Sequence, residues 1–260
     1  MPAAHRRLPL VLAVLAALAP VAALIGGATF GTADAASGPP VVVTLDPHAP
    51  APGTWSCLAG NPACARRDPW WREALLQPPA GSESVVEFSP LGAGLTADPR
   101  LTEAVLWLWS WSEGRTLLRT AAARSVSLRV ATLPAAAGRQ ASIARYDAGA
   151  RAVDVDVQFI SAPSWLLGDV LAHELTHATQ DAAGQQLAPG QAACLAAELP
   201  ARRTEVAYLR DLFDRLGTPP ADAAASLSPP SVTLLQMAEG LLDSADLPGL
   251  VAGLCAAGAG

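Results

Sequence analysis

His173-Glu174-Leu175-Thr176-His177 constrains this chain more than any other stretch. It lies in a run where Leu167, Val170, Leu171, Leu175 and Ala178 recur at helical spacing. The segment therefore reads as a helix with an apolar stripe packed on a sheet. Residues four apart share one helix face, so both imidazoles can reach a single metal ion. Glu174 points towards the same site, where a carboxylate can take a proton from a water on the metal. Four His and nine Glu in 260 residues produce an HExxH by accident with odds of roughly one in five hundred.

The flanks suit this helix. Ser161-Ala162-Pro163 can open it and Gly184 can stop it. Upstream, three stretches read as strands: 125–133, 142–146 and 151–160. The last is the clearest, with Val153, Val155, Val157 and Phe159 on one face and Asp154, Asp156 and Gln158 on the other. The turn Asp147-Ala148-Gly149-Ala150 joins the last two as a hairpin. Residues 98–124 read as helical, opened by Asp98-Pro99 and broken near Gly114. Trp107, Trp109 and Trp111 are spaced by two, which does not line one side of a helix, so they belong to the core and to a helix seam. Downstream, a helix begins near Pro189-Gly190, Pro200 divides it, and 202–216 is strongly helical. One or two Ala/Leu-rich helices follow in 231–256. The expected fold is α+β: a small, mainly antiparallel sheet on the HExxH helix, then a helical C-terminal part, all within residues 98–260.

Residues 1–35 read as a cleaved signal peptide. Arg6 and Arg7 precede an apolar run, and Ala33-Asp34-Ala35 offers small residues for cleavage. If uncleaved, residues 8–30 would anchor the chain in a membrane; otherwise no stable membrane association is expected. Residues 36–97 read as a Pro-rich arm with a small disulfide loop. Export places the four cysteines in an oxidising compartment. Of the three possible pairings, Cys57–Cys64 and Cys194–Cys255 are favoured, the second tying the tail to the core. Removing residues 1–35 takes away Arg6, Arg7 and Asp34, so the net charge goes from −6 to −7. That acidity argues against nucleic acid as a partner.

A catalytic zinc site needs three protein ligands and an open position. The third cannot be a histidine, because only His5 and His48 remain, in the leader and the arm. The longer pattern HExxHxxGxxH fails, with Gln180 and Ala183 in the last two places. A carboxylate on a following helix is required. Glu198 and Glu205, 21 and 28 positions after His177, both qualify, and their spacing of seven lets one ligate while the other orients a ligand. Asp181, one turn beyond His177, is placed as an orienting partner or a helix-end charge.

With His173, Glu174, His177 and a downstream Glu, the chain resembles the zincin metallopeptidases in their gluzincin arrangement. Glu198 followed by Ala201, with Cys194 four before it, also resembles small secreted bacterial HExxH proteins of unknown function. The resemblance covers about residues 125–216. It implies one Zn2+ per chain held by His173, His177 and Glu198, with Glu205 as the alternative. It implies Glu174 as general base, and a peptide or protein as substrate. Such enzymes often carry an oxyanion-stabilising His, which is absent here; Tyr146 or Tyr208 is the substitute, with Tyr208 expected as the catalytic one. The strand lining the cleft would be 151–160 or 125–133, pairing with an extended substrate. Two rivals remain: a catalytically inactive zincin-like binding protein, and a structural exported protein whose HExxH is accidental.

Overall fold

The computed structural model describes residues 41–45, 85–134, 142–185, 190–216 and 228–258. The leader, the Cys57–Cys64 pairing and the stretch around Trp70-Trp71 lie outside the described residues. The described chain is mixed α/β. Its strands are β1 (Val41–Thr44), β2 (Val86–Ser89), β3 (Gly92–Ala97), β4 (Val126–Ala131), β5 (Ala144–Asp147) and β6 (Ala152–Asp156). Its helices are α1 (Thr102–Ser110), α2 (Ser112–Ala123), α3 (Ser164–Ala182), α4 (Gln191–Leu216), α5 (Pro229–Leu242) and α6 (Leu247–Gly258). None of them is long and apolar enough to cross a membrane.

The strands form one sheet in the order β1-β2-β3-β4-β6-β5. Two expectations change here. The sheet is mixed, not mainly antiparallel: β1/β2, β3/β4 and β4/β6 are parallel, while β2/β3 and β5/β6 are antiparallel. The reason is connectivity, because α1 and α2 carry the chain from β3 back to the start of β4, and such a crossover yields a parallel neighbour. Residues 41–45 and 85–97, expected in the arm, belong to the same sheet. They contribute β1, β2 and β3, with Val43, Val86, Phe88, Leu95 and Ala97 buried in the common core.

Local chemistry explains the element ends. Asp98 accepts from the Arg100 N–H and opens a short 3-10 turn, Pro99–Leu101, that runs into α1. The break between α1 and α2 falls at Trp111, whose backbone is extended, three residues before the expected point. Gly114 makes that corner possible: a Cβ there would sit 2.1 Å from the Leu108 carbonyl oxygen. All three tryptophans of this region are buried, and Trp107 donates to the Ser164 hydroxyl at the start of α3. The strand expected over 151–160 ends at Asp156, whose side chain accepts from the Gln158 N–H and turns the chain into a 3-10 segment, Val157–Phe159. Val157 is consequently exposed.

Helix α3 is the centre of the molecule. Fifteen of its nineteen residues are buried, so it has no polar face in contact with water. It packs against α1, α2, α4 and β5. Buried side chains such as Leu171 and Leu175 each contribute about 1.5–3 kcal/mol by leaving water. Among them lie Asp169, His173, Glu174, Thr176, His177 and Gln180, also buried. Polar groups in such a place require partners, and tracing those partners defines the site.

Candidate metal centre

The two histidines of α3 face each other and a carboxylate of α4. The Nε2 atoms of His173 and His177 are 3.1 Å apart. Glu198 places Oε2 3.4 Å from the first and Oε1 3.4 Å from the second. A tetrahedral ion bound at about 2.1 Å separates its ligand atoms by about 3.4 Å. Each imidazole nitrogen thus has one Glu198 oxygen at about that distance, and the three groups together could hold a metal ion.

The outer partners make the same point chemically. His173 Nδ1 lies 3.0 Å from Glu205 Oε2. A carboxylate only accepts, so Nδ1 carries the proton. His177 Nδ1 lies 2.8 Å from Gln180 Oε1, and the Gln180 amide donates in turn to the Ala197 carbonyl at 2.8 Å. That amide orientation again puts the proton on Nδ1. Both Nε2 lone pairs are thus free and aimed, with the Glu198 carboxylate, at one point. Such a cluster of lone pairs and negative charge calls for a cation. Without a metal, a proton serves. Burial alone would lower the pKa of His173, but the charges of Glu205 and Glu198 outweigh burial and raise it to about 10. Partial burial works against the Glu198 carboxylate, yet hydrogen bonds from both imidazoles pull it well below the usual carboxylate range.

Glu205 is the orienting carboxylate and Glu198 faces the imidazole nitrogens, which separates the two candidates that spacing alone left open. Glu205 is itself held by Arg202, one of whose amino groups lies 2.9 Å and 2.8 Å from its two oxygens. Asp169, one turn before His173, is buried beside this pair. Burial and the nearby Glu205 keep its carboxyl well above the usual range.

Glu174 stands between the histidines on the same helix. Its Oε2 accepts the backbone N–H of Tyr146 in β5 at 2.7 Å. Its other oxygen has no hydrogen bond among the described residues. The contact follows from sheet geometry. The Asp156 N–H donates to the Ile143 carbonyl, and antiparallel pairs alternate. Arg145 and Asp147 therefore turn their main-chain groups to β6, while Ala144 and Tyr146 turn theirs outward. β5 is the sheet edge beside α3. This corrects the cleft strand: 125–133 and 151–160 contain β4 and β6, which have neighbours on both sides.

Two further expectations meet a different arrangement. Tyr208 is fully buried, and its hydroxyl donates to the Trp165 carbonyl at 3.1 Å, against Gly168. It packs α4 on α3 and does not face the histidines. Asp181 orients no ligand. It accepts from the Tyr146 hydroxyl at 3.0 Å and from Arg124 at 2.7 Å, fastening β5 and the end of α2 to α3. Tyr146 is thus held at both its hydroxyl and its N–H. Gln180 and Arg202 were not singled out from sequence. A signal for Gln180 existed: a polar residue three after His177 shares its face. Cys194 and Cys255 form a disulfide.

Comparison with known proteins finds no matching family model, no matching curated protein and no matching solved structure.

Proposed function

We propose that this chain is an exported, zinc-dependent metallopeptidase with a zincin-like domain. The observation that carries the reading is the convergence of His173, His177 and Glu198 within reach of one ion, beside Glu174. The donor set favours zinc: two neutral imidazoles and one carboxylate are the protein ligands of a hydrolytic zinc site. Zinc bound there would supply a Lewis acid that acidifies water and polarises a carbonyl.

The remaining roles belong to this chain's own groups. Glu205 and Gln180 fix both imidazoles with Nε2 presented inward. The Tyr146 N–H holds one oxygen of Glu174. The other oxygen is left to receive a proton from water and return it to a leaving amine. The outward main-chain groups of Ala144 and the Tyr146 carbonyl match those of an extended peptide, which supports a peptide or protein substrate. Export is supported by the leader-like residues 1–35 and is compatible with the Cys194–Cys255 disulfide. Tyr208, bonded within the core, supplies no oxyanion donor. That observation favours, as the second reading, a zinc protein without hydrolytic activity.

Glu174→Gln separates them. The variant should retain about one zinc per chain while hydrolysis of an unstructured protein such as casein falls by at least about a hundredfold. Equal turnover in both proteins overturns the mechanism. Zinc binding with no hydrolysis in either supports the second reading.

A further inference from the structure

We propose that the Cys194–Cys255 disulfide is a positioning element of the metal centre, holding the helical segment that presents Glu198. The inference rests on the reading of His173, His177 and Glu198 as a metal site, not on peptidase activity.

Helix α4 is anchored very unevenly. From Ala201 onward it buries Ala201, Val206, Tyr208, Leu209 and Leu212. From Gln191 to Pro200 it buries no residue at all. Proline at 200 removes the N–H that would bond the Ala196 carbonyl, so the helix is weakened at the very turn that carries Glu198. A segment with neither buried apolar side chains nor a complete hydrogen-bond ladder opens at low free-energy cost. Yet Glu198 must be held within about half an ångström of its place to serve as a ligand.

Among the described residues, two side-chain links hold this segment besides those to the imidazoles. One is the single hydrogen bond from Gln180 to the Ala197 carbonyl. The other is the disulfide. Cys194 precedes Glu198 by four residues, so the two share a face one turn apart. Cys255 is buried on α6, with Val251 beside it one turn earlier. α6 packs on α4, and residues 243–246 join it to α5, which buries Leu234, Leu235, Ala238 and Leu241 in the core. The disulfide therefore ties the ligand-bearing turn to α6 and, through residues 243–246, to the core-anchored helix α5. Its effect on the fold at large and its effect on the metal are separable. A plain staple would stabilise the fold and leave metal affinity unchanged.

Linkage makes the coupling reciprocal: if the disulfide tightens the metal by some factor, the metal protects the disulfide by the same factor. The test measures both sides. Zinc affinity is read by competition with a chromophoric chelator for the wild type, Cys194→Ser/Cys255→Ser, Glu198→Ala and the triple variant. Removing the disulfide should weaken zinc at least about tenfold, as loss of an orienting partner does. In the Glu198→Ala background, where no third ligand remains to be positioned, it should change affinity less than about twofold. In the native protein at equilibrium with a glutathione redox buffer, in which two glutathiones become their disulfide as Cys194–Cys255 becomes two thiols, a larger fraction should stay oxidised with zinc than with a chelator. Acid quenching, alkylation and mass spectrometry of the peptides containing Cys194 and Cys255 report that fraction even if the Ser variants do not fold. Equal affinities with and without the disulfide, an equal loss in the Glu198→Ala background, or an oxidised fraction indifferent to zinc would each overturn the proposal. A wild-type protein that binds no zinc overturns it together with the metal site, whereas zinc binding without hydrolysis leaves it standing.

Discussion

Glu198 and Glu205 occupy the same helix two turns apart, and replacing each in turn gives the most direct test of the centre. Glu198→Ala removes the carboxylate that lies 3.4 Å from both Nε2 atoms. The two imidazoles remain oriented by Glu205 and Gln180, so a two-ligand site survives. Loss of a full ligand should cost at least about a thousandfold in zinc affinity, or about 4 kcal/mol. Its fold should be kept, since the Glu198 side chain is 32% exposed, although the metal-free protein loses the ion pair with His173. Glu205→Gln acts differently. The amide can still accept from His173 Nδ1, but its NH2 group meets Arg202, which now bonds both carboxylate oxygens. Zinc affinity should fall about ten- to a hundredfold, the usual cost of disturbing an orienting partner. Stability should also fall, by about 1–3 kcal/mol for the lost charge-assisted bonds of a mostly buried group. Chelator competition at fixed pH gives the affinities, and urea unfolding of the metal-free proteins gives the stabilities. If Glu205→Gln weakens zinc more than Glu198→Ala, the assignment of ligand and orienting group is reversed.

Three more outcomes follow from contacts elsewhere. Gln180→Leu fills similar space but removes the acceptor for His177 Nδ1 and the donor to Ala197. Zinc affinity should drop by about tenfold or more, and an unchanged value would show that His177 needs no orienting partner. Gly114→Ala forces a Cβ to within 2.1 Å of the Leu108 carbonyl oxygen, a backbone atom that cannot rotate away. Stability should fall by about 2 kcal/mol or more; a fall under about 0.5 kcal/mol would remove the explanation of the α1–α2 corner. The metal-free protein should also respond to pH. His173, raised to about 10, contributes stability in full below its ordinary 6.5 and loses it as pH climbs towards 10. Glu198, lowered, contributes above its ordinary 4.5 and loses it as pH falls. Glu205 raises His173 more than Glu198 does, and the stabilisation from both shifted groups is complete between about pH 4.5 and 6.5. Glu198→Gln should make the alkaline side of the melting-temperature profile shallower, and Glu205→Gln more so; curves parallel to wild type would refute the pairing.

Much of the fold was legible because local signals and burial agree. Asp98-Pro99, Gly184, the 151–160 alternation and the Ala/Leu-rich tail all mark elements close to where they occur. What escaped was non-local. β1 has four residues and pairs with β2 across more than forty residues of chain. β3 contains Gly92 and Gly94, a composition typical of a loop, yet Gly94 is needed because α2 comes so close that a Cβ would lie 2.4 Å from the Ala122 carbonyl oxygen. A stretch rich in Pro and Gly thus reads as an arm although its few Val, Phe and Leu residues complete the core. Strand order is equally hidden. β4, β5 and β6 follow one another in sequence, but β6 inserts between the other two, and only that order reveals β5 as the edge beside Glu174.

The site was more legible than the sheet, for a physical reason. A ligand set must be built from side chains with free lone pairs, and this chain has so few histidines that HExxH could only be completed by a carboxylate. Helical spacing then limited which carboxylates could arrive. It could not rank Glu198 against Glu205, because a seven-residue separation sends both to the same face. The ranking comes from how α4 sits on α3: Gln180 bonds the Ala197 carbonyl, and the turn of Glu198, rather than that of Glu205, faces the imidazole Nε2 atoms. The same bond explains why a polar residue is tolerated at position 180 inside a helix that is buried nearly all round. Gln180 satisfies itself at both ends, accepting from one ligand and donating to the backbone beside the other. One side chain thereby couples the orientation of His177 to the placement of Glu198, and the two ligands are set by a single contact between helices.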